Sequence, residues 1–259
     1  MKIEKDKYIF FLDIDNTLFV HGEIPQRNLD AIKRVRAEGH KVFINTARSY
    51  ACIPDLIKNL DIDGIVAGLG CSIRVDKKCI MCEKLPIDEV AEVFDFFVER
   101  GRKILLEGEE TLVESITFYD RNHTVVKNGK ELKKLFPNGI FAKFYLPGKL
   151  DEEETKFASD RYMFFQHESY AEFSPKGHTK ATGIFTVAEY YGADVSQCVA
   201  MGDSLNDVDM LKAAGISVAM GNAVPEVKKM CDIVTCDAAD GGVAEGMYRI
   251  TGIKHEIMV

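Results

Sequence analysis

Positive charge is in deficit in this sequence. Its 33 lysines and arginines face 41 aspartates and glutamates, a formal charge of −8 with a pI near 5.4. Affinity for a nucleic-acid backbone rests on a basic surface, so that class of partner is not expected. A local basic pocket for one small anion remains compatible with the net charge. There is also no apolar run of the roughly 18–20 residues that would cross a bilayer. The opening residues carry Lys2, Glu4, Lys5, Asp6 and Lys7 and lead straight into a strand-like run, which does not read as a secretory signal. No internal repeat or low-complexity segment is present, and the six histidines show no metal-ligating spacing. Seven cysteines without a signal read as reduced thiols rather than a disulfide framework. A cytoplasmic location is expected.

What is present is material for a real core. Hydrophobic residues make up 46% and charged residues 29% of 259 positions. That length suffices for one large domain, or for a core with an inserted module of roughly 80–100 residues.

The first third alternates strand and helix patterns. Residues 8–12 are a continuous apolar run, as in a strand buried on both faces of a parallel sheet. Pro25 opens a helix with Leu29, Ile32 and Val35 at helical spacing, and Gly39 stands where it would stop. Residues 41–45 form a second buried strand, 54–60 a helical stretch and 65–67 a third strand. Residues 71–83 read as a hairpin turning at Asp76-Lys77-Lys78.

The middle then changes character. Residues 87–100 make an amphipathic helix with Val90, Val93, Phe94, Phe97 and Val98 on one face. Strands at 103–106 and 111–116 flank a polar turn at Gly108, and two further helix–strand patterns run to about 166. From about 172 the first pattern returns, with helices at 179–191 and 208–214 and strands at 198–201, 216–220 and 233–235. The expected fold is α/β: a Rossmann-like doubly wound parallel sheet from residues 1–83 and 172–259, with an inserted α+β cap at 84–171.

Three apolar runs end in a polar group: 10–12 at Asp13, 43–45 at Thr46 and 199–202 at Asp203. Ligands of open α/β sheets bind outside the carboxyl ends of the strands, so these groups should converge. Lys180, in the opening turn of a helix, would bring a full positive charge to an end that already favours anions. Asp13, Asp15, Asp203 and Asp207 together would repel one another. A hard divalent cation such as Mg²⁺ relieves that repulsion, because it takes one or two carboxylates with water and phosphate oxygens. Metal and lysine would then stabilise a phosphoryl group under attack by a carboxylate.

These segments resemble the four motifs of the haloacid dehalogenase superfamily: Asp13-Ile14-Asp15-Asn16-Thr17, Thr46 in Asn45-Thr46-Ala47-Arg48, Lys180, and Gly202-Asp203-Ser204-Leu205-Asn206-Asp207. The tail from Gly221-Asn222-Ala223 to Asp240-Gly241-Gly242-Val243 is similar to the Cof-like subgroup, as is a cap between the second and third motifs. The resemblance implies a phosphatase using Mg²⁺. In it Asp13 attacks phosphorus, and Asp15 protonates the leaving oxygen before activating water. Asp13, the carbonyl of Asp15 and Asp203 hold the metal, with Asp207 ligating directly or through water, and Thr46, Lys180 and Asn206 bind the phosphoryl group. The implied substrate is a small phosphorylated metabolite, a sugar phosphate first. Asn16 and Ala47 stand where Cof-like proteins usually carry Gly, and residues 67–70 depart from their Asn-Gly-Ala run.

Other readings compete at several positions. Lys176 precedes Lys180 by four residues and rivals it for the lysine role, although spacing favours Lys180. Arg48 reads equally as a contact to substrate or cap and as part of a structural ion pair. Cys79-Ile80-Met81-Cys82 has too few neighbouring ligands for a closed zinc site and reads as reduced thiols. His178 is explained as well by helix capping as by the site. Asp151 to Glu154 reads as a solvated helix start. Phe141, Phe144, Tyr145, Tyr162, Phe164 and Phe165 read as cap core. A phosphomutase of sugar phosphates, or a non-catalytic phosphometabolite-binding regulator, is the alternative function. Oligomeric state is left open.

Overall fold

Four consecutive apolar residues, Ile9–Leu12, form strand β1, and all four are buried. Such a strand is stable only with both faces covered and both edges paired. In the computed structural model, which describes residues 2–118 and 123–253, β1 has both partners. It pairs in parallel with β2 (Lys41–Asn45) on one side and with β12 (Cys198–Gly202), numbered along the chain, on the other. Outward from β2 lie β3 (Gly64–Ala67), β4 (Ser72–Val75) and β5 (Lys78–Cys82). Outward from β12 lie β13 (Ile216–Ala219) and β14 (Ile233–Val234). The eight-stranded order is β14-β13-β12-β1-β2-β3-β4-β5. Pairing is parallel from β14 to β3 and turns antiparallel at β4. The α/β fold expected from the alternation is present, with a hairpin added at one edge. Its two-residue turn, Asp76 and Lys77, takes φ of 46° and 65°. Left-handed turns of this kind match the twist of paired strands.

The chain divides into two compact units. The first takes in the chain up to Thr46, residues 59–80 and the chain from Thr179 on. Helix α1 (Gln26–Ala37) buries Ala31, Ile32 and Val35, and it ends at Gly39 with φ 92°. It packs against α9 (Gly242–Thr251), where Asn28 Oδ1 accepts from the backbone N–H of Ala244 at 3.0 Å. Helix α6 (Lys180–Tyr191) packs on α7 (Val208–Ala213). A short α8 (Pro225–Met230) precedes β14.

The second unit takes in residues 47–58 and 81–178. It holds α2 (Asp55–Lys58), α3 (Ile87–Glu99), α4 (Gly129–Leu135) and α5 (Glu152–Arg161). Its six-stranded sheet uses β6 (Leu105–Gly108), β7 (Leu112–Glu114), β8 (Thr124–Val125), β9 (Phe141–Pro147), β10 (Met163–Gln166) and β11 (Tyr170–Ser174), in the order β10-β11-β9-β6-β7-β8. Side chains alternate across a strand. Leu106, Val113, Phe144, Leu146 and Phe173 therefore join Val90, Val93, Phe94 and Phe97 of α3 in one core. Their neighbours Leu105, Glu107, Lys143, Tyr145, Tyr170 and Glu172 belong to the opposite face.

Several local expectations change. The helix read over 54–60 is only the four residues of α2, which Pro54 precedes. The expected boundary at 171 falls inside β11, whose pairing with β9 keeps it in the six-stranded sheet. Glu154 is not part of a solvated start. Asp151 Oδ1 accepts from its N–H at 2.8 Å in a capping box, and its buried carboxylate lies 3.4 Å from Arg102 Nε. Tyr145 is not core but stacks on Tyr170, and Phe165 is exposed on β10. Phe141, Phe144 and Tyr162 are core, with Phe164 packed against them.

Candidate active site

The site stands where the order of strands reverses about β1. Asp13 follows β1, Thr46 follows β2, and Asp203 follows β12, so the three leave the same end of the sheet side by side. The backbone N–H of Asp13 donates to the Met201 carbonyl at 3.0 Å, and that of Thr46 to Val66 at 2.9 Å, extending the ladder to the site itself. Lys180 is brought in by α6. Thr179 caps that helix, its hydroxyl accepting from the N–H groups of Ala181 and Thr182, while Thr182 Oγ1 accepts from the N–H of Thr179 at 3.0 Å. A Cβ at Gly183 would stand 2.4 Å from Val66 Cγ1, so only glycine lets α6 lie this close to β3.

Lys180 is fully buried, and its ammonium lies 2.6 Å from both Asp13 Oδ1 and Asp207 Oδ1. The other Asp207 oxygen accepts from the backbone N–H groups of Asp203 at 3.0 Å and Ser204 at 3.1 Å. Both oxygens of Asp207 are thus committed inside the protein. Thr17 donates its hydroxyl to Asp203 Oδ1 at 3.0 Å. Asp13, Asp203 and Asp207 present carboxylate oxygens within 4.8 Å of one another.

One ammonium against three buried carboxylates leaves two negative charges uncompensated. Burial, with Asp207 and Asp203 adding to it against the pull of Lys180, pushes the Asp13 carboxyl up to about 7. Burial and Asp207 push Asp203 up to about 6. Lys180 is held charged above its ordinary range because Asp13 and Asp207 outweigh the burial that opposes them. Oxygen donors carrying a surplus of two negative charges fit a hard divalent ion such as Mg²⁺.

The structure thus brings together Asp13, Lys180, Asp203 and Asp207, with Thr46 buried at the end of the neighbouring strand. Asp15 is exposed at the rim, and its charge adds to the rise at Asp203. Asn206 is exposed too, its Oδ1 accepting from Ser204 Oγ at 2.8 Å. Lys176 donates to the Asp160 carbonyl at 2.9 Å in the second unit. Arg48 and His178 also belong to that unit. Arg48 donates to the Cys52 carbonyl at 3.2 Å, and His178 lies 3.3 Å from Glu83.

Two supporting side chains, Asn45 and Asn222, were given no role from the sequence. Asn45 donates its amide to the Lys180 carbonyl at 2.9 Å, joining β2 to the first turn of α6. Asn222 donates to the Asn16 carbonyl at 2.9 Å and accepts from the N–H of Ala238 at 2.8 Å, holding the loop after Asp13. Asn16 itself has φ 58°, a conformation in which asparagine is the residue after glycine best tolerated. That conformation accounts for an asparagine at this position.

A profile of haloacid dehalogenase-like hydrolases matches residues 10–247. YkrA of Bacillus subtilis is 28% identical, over 96% of this chain and 100% of its own. The 5-amino-6-(5-phospho-D-ribitylamino)uracil phosphatase YitU of the same organism is 24% identical, over 93% and 97%. Among solved structures, the HAD subclass IIB sugar phosphatase BT4131 superposes with a TM-score of 0.77 at 27% identity, covering 95% of this chain and 100% of that one. With this match spanning both ends of the sheet and the carboxylates at its centre, the chain belongs to the haloacid dehalogenase-like hydrolases and is a Cof-like phosphatase of phosphoric monoesters.

Proposed function

We infer that the chain hydrolyses a phosphomonoester of a small cytoplasmic metabolite through a phospho-aspartyl intermediate on Asp13. The observation that carries this is the burial of Lys180 between Asp13 and Asp207, with Asp203 beside them. In this reading Lys180 keeps one Asp13 oxygen ionised and aligned while the other attacks phosphorus. Asp15, exposed at the rim, protonates the departing oxygen, then takes a proton from the water that cleaves the aspartyl phosphate and frees Asp13. Thr46, Lys180 and the Asn206 amide N–H groups bind the phosphoryl oxygens. Asp13, Asp203 and the Asp15 carbonyl would hold Mg²⁺. Asp207 would reach it through water, because its own oxygens are taken by Lys180 and two backbone N–H groups. When bound, the ion cancels charge between carboxylate and phosphate.

The second unit acts as the cap that sets specificity, and a sugar phosphate is the substrate class we favour. A sugar phosphatase among the structural neighbours and a phosphatase of a ribityl compound among the relatives support that choice. No helix among the described residues is long and apolar enough to cross a membrane.

The test is Asp13→Asn, assayed against an aryl phosphate with Mg²⁺ present. Loss of turnover by at least about 10³-fold in a folded variant is expected for removal of a nucleophile. Wild-type rates in that variant would overturn the assignment.

A further inference from the structure

A helix opens with N–H groups that have no partner inside it. At the start of α6 the Thr179 hydroxyl takes two of them, from Ala181 at 3.1 Å and Thr182 at 3.3 Å. The Ala181 N–H has a second acceptor, Asp209 Oδ2 in α7, at 3.3 Å. Asp209 is fixed in that orientation, since its other oxygen accepts from the N–H of Met210 at 2.8 Å. One bond earlier in the chain, the Lys180 carbonyl accepts from Asn45 Nδ2 at 2.9 Å. The Lys180 carbonyl and the Ala181 N–H are the two ends of a single peptide group. That group is held on one side from the end of β2 and on the other from the start of α7.

Helix capping alone does not call for either contact. Thr179 already supplies the Ala181 N–H with an acceptor, so the carboxylate is additional. Asn45 is fully buried, and its Oδ1 has no hydrogen-bond partner among the described residues. A buried acceptor left unpaired lowers stability, and an apolar side chain of similar size would avoid that loss. The bond to Lys180 fixes which way the amide points, because the reverse orientation would set its oxygen against a carbonyl oxygen. What both contacts share is Lys180. Its ammonium stands on a flexible four-carbon stem, so its aim at Asp13 and Asp207, 2.6 Å from each, depends on where the backbone starts it. Asp207 and Asp209 flank a single residue, so the segment that receives the ammonium also holds the backbone from which it springs. A displacement of about 1 Å at a reacting centre costs about 10²-fold in rate.

We propose that Asn45 and Asp209 are positioning residues, which hold the Lys180–Ala181 peptide group from opposite ends and thereby aim the Lys180 ammonium between Asp13 and Asp207. Its bearing on turnover rests on the phospho-aspartyl reading; the backbone clamp does not. Asp209→Ala should lower kcat for an aryl phosphate at least about tenfold and move KM less than about threefold. Asp209→Asn keeps an acceptor and should restore kcat to within about threefold of wild type. Orthovanadate imitates the five-coordinate phosphorus of the transition state. It should inhibit Asp209→Ala at least about tenfold less tightly, while inorganic phosphate binds as before. Asn45→Ala should do the same, and the double variant should lose little more than the worse single one, because both act on one peptide group. Amide exchange followed by NMR reads the clamp without any reaction. The Ala181 N–H should exchange at least about tenfold faster in Asp209→Ala, with the interior of α6 unchanged. Asp209→Leu takes its place in every arm if the alanine protein does not fold. Wild-type kcat and vanadate affinity in a folded variant without the carboxylate, no rescue by Asp209→Asn, or unchanged exchange at Ala181 overturns the proposal. The two readings fail separately. Wild-type turnover in Asp13→Asn removes the phospho-aspartyl reading and leaves the exchange result standing. Loss of turnover there, with unchanged exchange at Ala181 in Asp209→Ala, removes the clamp alone.

Discussion

A Cβ placed on Gly202 would stand 2.6 Å from the carboxyl carbon of Asp207. The last residue of β12 must therefore be glycine if the Asp207 carboxylate is to lie flat against the strand end, where it receives the N–H groups of Asp203 and Ser204 and the ammonium of Lys180. Gly202→Ala is expected to push that carboxylate away and uncouple Lys180. Turnover should fall by about 10²-fold or more, as displacements near 1 Å do at reacting centres. Steady-state assays with an aryl phosphate, alongside a thermal melt, check it; an active, stable Gly202→Ala protein contradicts this account of the loop.

The two lysines that competed in the sequence make opposite predictions. Lys180→Met leaves Asp13 and Asp207 buried without their cation, and breaking such a pair typically costs about 3–5 kcal/mol. Lys176→Met removes a hydrogen bond to a carbonyl near the surface and should cost well under about 1 kcal/mol. Urea denaturation of both variants decides, and similar losses would show that Lys180 is not the cation holding the carboxylates.

Stability should depend on pH in a direction set by Asp13 and Asp203. Both carboxyls have folded pKa values above the ordinary 3.8, at about 7 and about 6. Between about pH 4 and 7 the folded state therefore holds more protons than the unfolded one, and stability falls as pH rises through that window. In chelator the melting temperature should drop from pH 5 to pH 7.5. Mg²⁺ should restore it at the higher pH, and Asp13→Asn should flatten the profile. A chelated protein that grows more stable across the same range would contradict the charge surplus at the site.

Asn16 offers a backbone test independent of charge. At φ 58°, Asn16→Ala should destabilise by about 1 kcal/mol, whereas Asn16→Gly should be close to neutral. Asn222→Ala removes the bond to the Asn16 carbonyl and should lower turnover more than stability, because it frees the loop that follows Asp13. Equal melts for the alanine and glycine variants at position 16 would dismiss the conformational explanation.

How much of this was readable beforehand depended on whether a signal was local. Asp13, Thr46 and Asp203 each end an apolar run, and strand ends in a parallel sheet face one way, so convergence followed from pattern alone. Lys180 was readable because it falls in the opening turn of a helix and spacing favours it over Lys176. The Asn45–Lys180 and Asn222–Asn16 bonds were not, since each joins a side chain to a carbonyl 135 or 206 residues away. Tyr145 was misread for a related reason. Aromatic residues signal burial, but the face they occupy depends on register, and register in the second unit follows from pairing between strands distant in sequence.

The separation of 167 residues between Asp13 and Lys180 also bears on how the molecule is made. Strand β1 is made well before β12, which pairs with one of its two edges, and the ammonium that steadies the Asp13 carboxylate follows the whole second unit. At elongation rates of about 5–20 residues per second, roughly ten seconds or more pass with that edge open. A nascent chain in that interval has an unclosed hydrophobic sheet and an Asp13 carboxylate without the Lys180 ammonium. Under the proposed mechanism, which needs both Asp13 and Lys180, turnover cannot begin before the segment that carries Lys180 has been made.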